Sequence, residues 1–171
     1  LNVKKIDPRK IVLSGGSHGG FLVTHLSGQY PEMGFLACIS RNPVIDIPSL
    51  VTTSDIPDWA CAESLGFLDL KPFDEYFATD RKSLDIMRKV SPIDHVHKVI
   101  VPTLMLLGSK DLRVPMSQGL IYHKLLKSRD VNTRCFVYDD VHSLSKINVE
   151  FDTFVNMIGF IAEQLAQLEM E

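Results

Sequence analysis

Cysteine is scarce in this chain of 171 residues, and the three present, Cys38, Cys61 and Cys135, are an odd number that forms no closed disulfide framework. Two of them lie in apolar, strand-like runs where a small buried thiol is ordinary, so all three read as structural. Long hydrophobic runs are missing as well. No stretch approaches the roughly 18 apolar residues of a membrane span, and Leu1-Asn2-Val3-Lys4-Lys5 lacks the apolar core of a secretory signal. The reading is a cytoplasmic protein with no membrane partner. Nor is one charge in excess: 18 Lys and Arg against 21 Asp and Glu leave a net charge of −3 and no basic stripe, which excludes the electrostatic footprint of a nucleic-acid binder. A Gly-Lys-Ser/Thr phosphate loop and a three-glycine dinucleotide pattern with a trailing acid are both absent, and no cofactor is implied. His95 and His97 form an H-x-H pair, but no third ligand stands at a suitable spacing, so no metal site is expected.

What remains has the balance of an ordinary globular domain, 45% apolar and 23% charged, with length enough for one substantial core. Short apolar runs near 10–14, 35–40, 102–107 and 133–138 read as strands. They lack polar alternation, the pattern of strands buried on both faces of a parallel sheet. Longer amphipathic segments stand between them. A helix is expected over 116–128 and another at the C-terminus, where Phe151, Phe154, Val155, Ile158, Ile161, Ala162, Leu165 and Leu168 recur at steps of three and four. The proline-punctuated region 46–95 is assigned short helices near 58–65, 74–79 and 81–90. No repeat or low-complexity linker breaks the alternation, and the expectation is an α/β fold in one domain over 1–171.

The most informative segment is Gly15-Gly16-Ser17-His18-Gly19-Gly20. The pattern G-x-S-x-G alone turns up by chance in roughly 6% of chains this long, so its setting decides. An apolar run ending at Leu13 precedes it and a helical run from Phe21 to Leu26 follows, which puts the serine on a strand-to-helix turn, a nucleophile elbow. Such a turn predicts a strained backbone at Ser17 and a strand–helix approach too close for side chains at 15 and 19. It also turns the His18 amide toward the site as an oxyanion donor beside a helix N-terminus.

A serine hydroxyl needs a base to take its proton, and the base needs a carboxylate to hold its tautomer. In hydrolases with this elbow the chain order is serine, acid, histidine, each on a loop at the C-terminal end of a parallel strand. The strand at 102–107 is followed by Gly108-Ser109-Lys110-Asp111, and the strand at 133–138 by Asp139-Asp140-Val141-His142. Asp111 is therefore the candidate acid and His142 the candidate base. Two alternatives stay open: Asp111 as a cap for a helix beginning near Pro115, and Asp139 or Asp140 as the orienting carboxylate. His25 and His123 fall within helical runs and read as packing or surface residues. Arg41 is directed to the cleft by its position just past the second strand.

These residues also carry a resemblance. GGSHGG, GQYPE, RNPVIDI, SDIPDW, SPID, GSKDLRVP and VHSLS, in this order and at this spacing over nearly the whole chain, are similar to the catalytic domain of the acylaminoacyl-peptidase branch of the prolyl oligopeptidase family of serine peptidases. The resemblance implies an α/β-hydrolase domain with Ser17 as nucleophile, Asp111 as acid and His142 as base. It implies hydrolysis of short N-acylated peptides through an acyl-enzyme, releasing an N-acyl amino acid. It further implies that Arg113 and Val114 border the substrate site and that Trp59 forms an aromatic pocket wall. The plain alternatives are a surface ion pair for Arg113 and core packing for Trp59.

Other family features are missing from the sequence. No histidine-glycine-rich segment for a second oxyanion amide is present, and the strands supply only the C-terminal half of the family's sheet, without its N-terminal strands or its β-propeller. The strand before Ser17 would then present an open apolar edge. The first residue is Leu. The expectation is a fragment of a larger parent chain, with the propeller and a second copy of the protein as its partners. The competing reading is a catalytically incompetent fragment that serves only as an interaction module. Another peptidase or an esterase of the same fold would share every one of these catalytic positions.

Overall fold

The computed structural model describes residues 6–66 and 80–170. Four strands, β1 (Val12–Gly16), β2 (Ala37–Arg41), β3 (Thr103–Gly108) and β4 (Thr133–Tyr138), form one parallel sheet in the order of the sequence. The helices are α1 (His18–Gln29), α2 (Ile47–Val51), α3 (Pro57–Leu65), α4 (Arg81–Lys89), α5 (Ser117–Lys127) and α6 (Ile147–Leu168), with a 3-10 segment at Pro92–Lys98. Each strand pairs with its predecessor, so the crossovers all step in one direction. Right-handed crossovers must then lie on one face of the sheet, and α6, which follows the last strand, packs on the other.

Side chains of β2 and β3 divide between these two layers as the pleat dictates. Ile39, Leu104 and Leu106 meet Val149 and Phe160 of α6. Met105 and Leu107 meet Tyr122 and Leu126 of α5, and Cys38 packs with Val23 of α1. Every residue of β3 is buried, which explains why that strand shows no polar alternation. Each such Leu or Met contributes on the order of 1.5–3 kcal/mol by leaving water. β1 and β4 are the sheet edges and are only partly covered.

All four strands begin within two residues of their expected starts. The short helices expected near 58–65 and 81–90 are α3 and α4, while the one expected near 74–79 lies outside the described residues. α2 was not expected, because one turn opened by Pro48 carries too little periodicity to read.

The C-terminal helix corrects the reading of its face. Phe151 and Phe154 are 70% and 62% exposed, and Val155 and Ile158 also face outward. The side packed on the sheet is built from Val149, Thr153, Phe160 and Gln164. α6 carries apolar residues on nearly opposite faces, and a helical period alone does not say which one meets this sheet.

The elbow glycines divide differently from expectation. A Cβ on Gly15 would fall on the carbonyl group of Gly19, as the tight turn requires, but a Cβ on Gly19 would meet nothing within 4 Å. The crowded helix position is Gly20, where a Cβ would come within 2.8 Å of Pro43 Cβ and Ser40 Oγ. Strand β1 and helix α1 therefore close on each other through Gly15, and α1 closes on the segment after β2 through Gly20.

Gly15→Ala is expected to destabilise the protein by about 1–3 kcal/mol, whereas Gly19→Ala costs nothing and gains from helix propensity, up to about 1 kcal/mol. Urea unfolding of the two variants distinguishes them, and equal stability would contradict the close approach. Burial pushes the Cys38 and Cys61 thiols up to about 12. Iodoacetamide at neutral pH should leave both unlabelled in the native protein and reach them after unfolding.

Candidate active site

Ser17 joins β1 directly to α1. Its amide donates to the carbonyl of Arg41 at 2.9 Å, which extends the β1–β2 ladder, while its own carbonyl already accepts from Phe21 N at 3.0 Å as part of the helix. One residue thus serves strand and helix at once, and its backbone is driven to φ 56° and ψ −121°. A serine at positive φ costs on the order of 1–3 kcal/mol and persists because the surrounding bonds over-determine it. The expected strain at the elbow is present.

The hydroxyl of Ser17 lies 2.9 Å from Nε2 of His142, and Nδ1 of the same ring lies 2.6 Å from Oδ2 of Asp111. The carboxylate partner assigns the ring proton to Nδ1, leaving Nε2 to accept from the serine. The Asp111 side chain is fully buried and that of His142 a quarter exposed. The other Asp111 oxygen accepts from the amides of Arg113 and Val114, both at 2.9 Å. Asp111 therefore closes a local turn with one oxygen and orients the imidazole with the other. It does not cap α5, which begins at Ser117.

Neither Asp139 nor Asp140 takes that place. Asp139 is exposed and pairs with Lys110 and Lys146. Asp140 is buried and accepts from the amides of Val141 and Lys146 at 2.8 and 3.0 Å, which hold its carboxyl below the usual carboxylate range. It shapes the loop that presents His142.

A second support of that loop was not singled out in the sequence. Asn42, buried at the end of β2 with φ 41°, donates from Nδ2 to the carbonyl of His142 and accepts at Oδ1 from Gly108 N, both at 2.8 Å. Its own amide donates to Leu106 O at 3.0 Å. One amide side chain thereby ties the ends of β2 and β3 to the histidine loop. The available signal was an asparagine, a residue that tolerates the left-handed region, at a strand end before proline.

Trp59, Arg113 and Val114 come together with Ser17 and His18 around a hollow of about 100 Å³, completed by Val44, Leu50 and Ile56. Trp59 also packs on the core cluster of α2, α3 and α4, so its packing and wall roles coexist. Arg113 forms an ion pair with Asp55, with both nitrogen–oxygen distances 3.3 Å, and lines the hollow as well. The ring of His18 turns to Glu63 at 2.9 Å and meets the Trp59 edge. Its amide stands at the first position of α1, where no intrahelical acceptor exists.

The remaining histidines lie elsewhere. His25 stacks on Phe21 and meets His95 edge to face at 4.9 Å, and burial lowers its pKa. His123 bonds Thr133 Oγ1 at 3.0 Å, and burial lowers its pKa too.

A parallel α/β sheet with an elbow serine, then an acid, then a histidine at its C-terminal rim defines the α/β-hydrolase class. Within it the chain belongs to the prolyl oligopeptidase family, whose model matches residues 2–168. It is 45% identical over 96% of its length to the acylamino-acid-releasing enzyme of Mus musculus, of which it spans 22%. Among solved structures it is similar to the acylaminoacyl peptidase of Pyrococcus horikoshii, with 24% identity, 81% of this chain and 21% of that chain covered, and a TM-score of 0.67. A puromycin-hydrolyzing peptidase of Mycobacterium tuberculosis superposes with a TM-score of 0.75 at 19% identity, covering 93% of this chain and 22% of that one. The chain thus spans about a fifth of the length of these relatives.

Asn42→Ala leaves the buried Gly108 amide without its acceptor and releases the His142 loop. The expected loss is roughly 1–3 kcal/mol, read by urea unfolding, and Asn42→Asp is no rescue because it turns a carboxylate toward the His142 carbonyl. A loss below about 0.5 kcal/mol for both, the range of ordinary surface changes, would remove Asn42 as the support of that loop.

Proposed function

We propose that this chain is the catalytic part of a serine peptidase that hydrolyses short N-acylated peptides and releases an N-acyl amino acid, with residues 1–171 forming part of an α/β-hydrolase domain. The observation that carries the reading is the relay from the Ser17 hydroxyl through the His142 ring to Asp111. In this mechanism Ser17 Oγ attacks the carbonyl carbon of the scissile amide as its proton passes to His142 Nε2. The carbonyl oxygen becomes an oxyanion held by the His18 amide, a contact of the kind worth roughly 10²–10³ in rate. Collapse breaks the carbon–nitrogen bond, and His142 returns the proton to the departing amine. Water, activated by the same imidazole, then cleaves the acyl-enzyme ester and regenerates the Ser17 hydroxyl.

The hollow beside Ser17 supports the substrate reading. Val44, Leu50, Ile56, Trp59 and Val114 give it apolar walls, and its size suits one small or medium apolar side chain on the acyl side of the cleaved bond. Arg113, already fixed by Asp55, stands at its rim. The relatives named as acylamino-acid-releasing enzymes add the N-acyl group to this reading.

As partner we propose the remainder of a longer parent polypeptide. The open edge of β1 and the outward apolar residues of α6 support it, since a helix apolar on both faces belongs to an interior. That remainder would supply the second oxyanion donor. The three free cysteines fit a reducing, cytoplasmic setting.

A fluorophosphonate probe is expected to label the full-length parent at Ser17 and to leave Ser17→Ala unlabelled; equal labelling of both removes the nucleophile. Asp111→Asn should lower kcat by about 10⁴-fold with little change in KM. Turnover of acetyl-alanyl, prolyl and simple ester substrates separates the N-acyl-peptide reading from a prolyl-specific peptidase or an esterase.

A further inference from the structure

We propose that Arg41 is a specificity residue that binds the carboxylate of a short leaving group, so that the site favours N-acyl peptides ending one or two residues beyond the cleaved bond. The inference rests on the serine-hydrolase reading above. The site has two hollows around Ser17 with different chemistry. The apolar one reaches Ser17 and His18 but not the His142 ring. The second, of about 260 Å³, is lined by Gly16, Ser17, Arg41, His142 and Ser143.

The imidazole must hand its proton to the departing nitrogen, so the leaving group has to lie in the hollow that holds both Ser17 and His142. Arg41 is its permanent charge. Its side chain runs alongside Gly16, where a Cβ would meet Arg41 Cβ and Nε at an ordinary contact distance of 3.6 Å, which places the guanidinium arm beside the residue that precedes the reacting serine. The Arg41 carbonyl is pinned by the Ser17 amide at 2.9 Å, which fixes the base of the side chain relative to the hydroxyl.

Among the described residues Arg41 has no ion pair and its guanidinium donates no hydrogen bond. The carboxylates nearest in sequence to this rim are already engaged: Asp111 by His142 and two amides, Asp140 by two amides, and Asp139 by Lys110 and Lys146. Among the described residues no carboxylate lines the hollow, and Arg41 makes it a cationic cleft. A planar, five-donor guanidinium there matches a carboxylate. In a short substrate that group is the C-terminus of the leaving residue, and an acidic side chain on that residue is the other source.

The test uses the full-length enzyme and compares kcat/KM for acetyl-Ala-Ala, acetyl-Ala-Ala-amide, acetyl-Ala-Glu-amide and acetyl-Ala p-nitroanilide at neutral pH. The wild type is expected to favour the free acid over its amide by about tenfold, mostly through KM, the preference shrinking with added salt. In Arg41→Gln the acid-to-amide ratio should fall to about one, and Arg41→Lys should keep part of it. A gain for acetyl-Ala-Glu-amide that depends on Arg41 supports the same contact with a side chain as its source. A wild type that does not discriminate, or an Arg41→Gln ratio equal to the wild-type ratio, overturns the proposal. Absence of p-nitroanilide turnover in the wild type would instead remove the hydrolase reading, and this proposal with it.

Discussion

The hydrogen bond from the Ser17 amide to the Arg41 carbonyl is the constraint on which the rest of the site depends. It carries the β1–β2 ladder one residue beyond the strand, while the carbonyl of the same residue has already entered α1. No relaxed conformation satisfies both demands, and the left-handed twist at Ser17 is the result. That twist lifts the hydroxyl above the sheet rim, where β3 and β4 deliver Asp111 and His142 one loop later. Because the strands are parallel and in sequence order, three residues spread over 125 positions of the chain meet at one edge without a long excursion.

Around that edge the fold spends its polar groups economically. Both oxygens of Asp111 are used, one on its own turn and one on the imidazole. Asn42 and Asp140 hold the histidine loop from its two sides, through the carbonyl of His142 and through the amides of Val141 and Lys146. Leu144, buried in the same loop at φ 50°, anchors it on the layer beneath α6. The imidazole is thus held in line by the protein's own groups.

Much of this was legible in the amino acids. The strands could be read because β2 and β3 are buried on both faces, which leaves an unbroken apolar run. Ser17, Asp111 and His142 could be singled out because the chain order and the loop positions follow from the strand order. The failures are equally physical. Asn42 was passed over because its role is made by contacts more than sixty residues away at Gly108 and a hundred away at His142, which no local pattern encodes. The crowding at Gly20 rather than Gly19 depends on where Pro43 packs, again a tertiary matter. The outward face of α6 misled because periodicity reports amphipathicity and says nothing of which neighbour covers which side.

The floor of the apolar hollow is continuous with the interior. Val44, Leu50 and Val114 line it and at the same time belong to the cluster that fastens α2, α3 and α4 together. No residue there can be exchanged to reshape the cavity without also loosening the joint between those helices. With the hollow receiving a substrate side chain, as proposed above, selectivity and robustness would be inherited as one trait, and a lineage drifting toward larger side chains would first have to accumulate spare stability elsewhere.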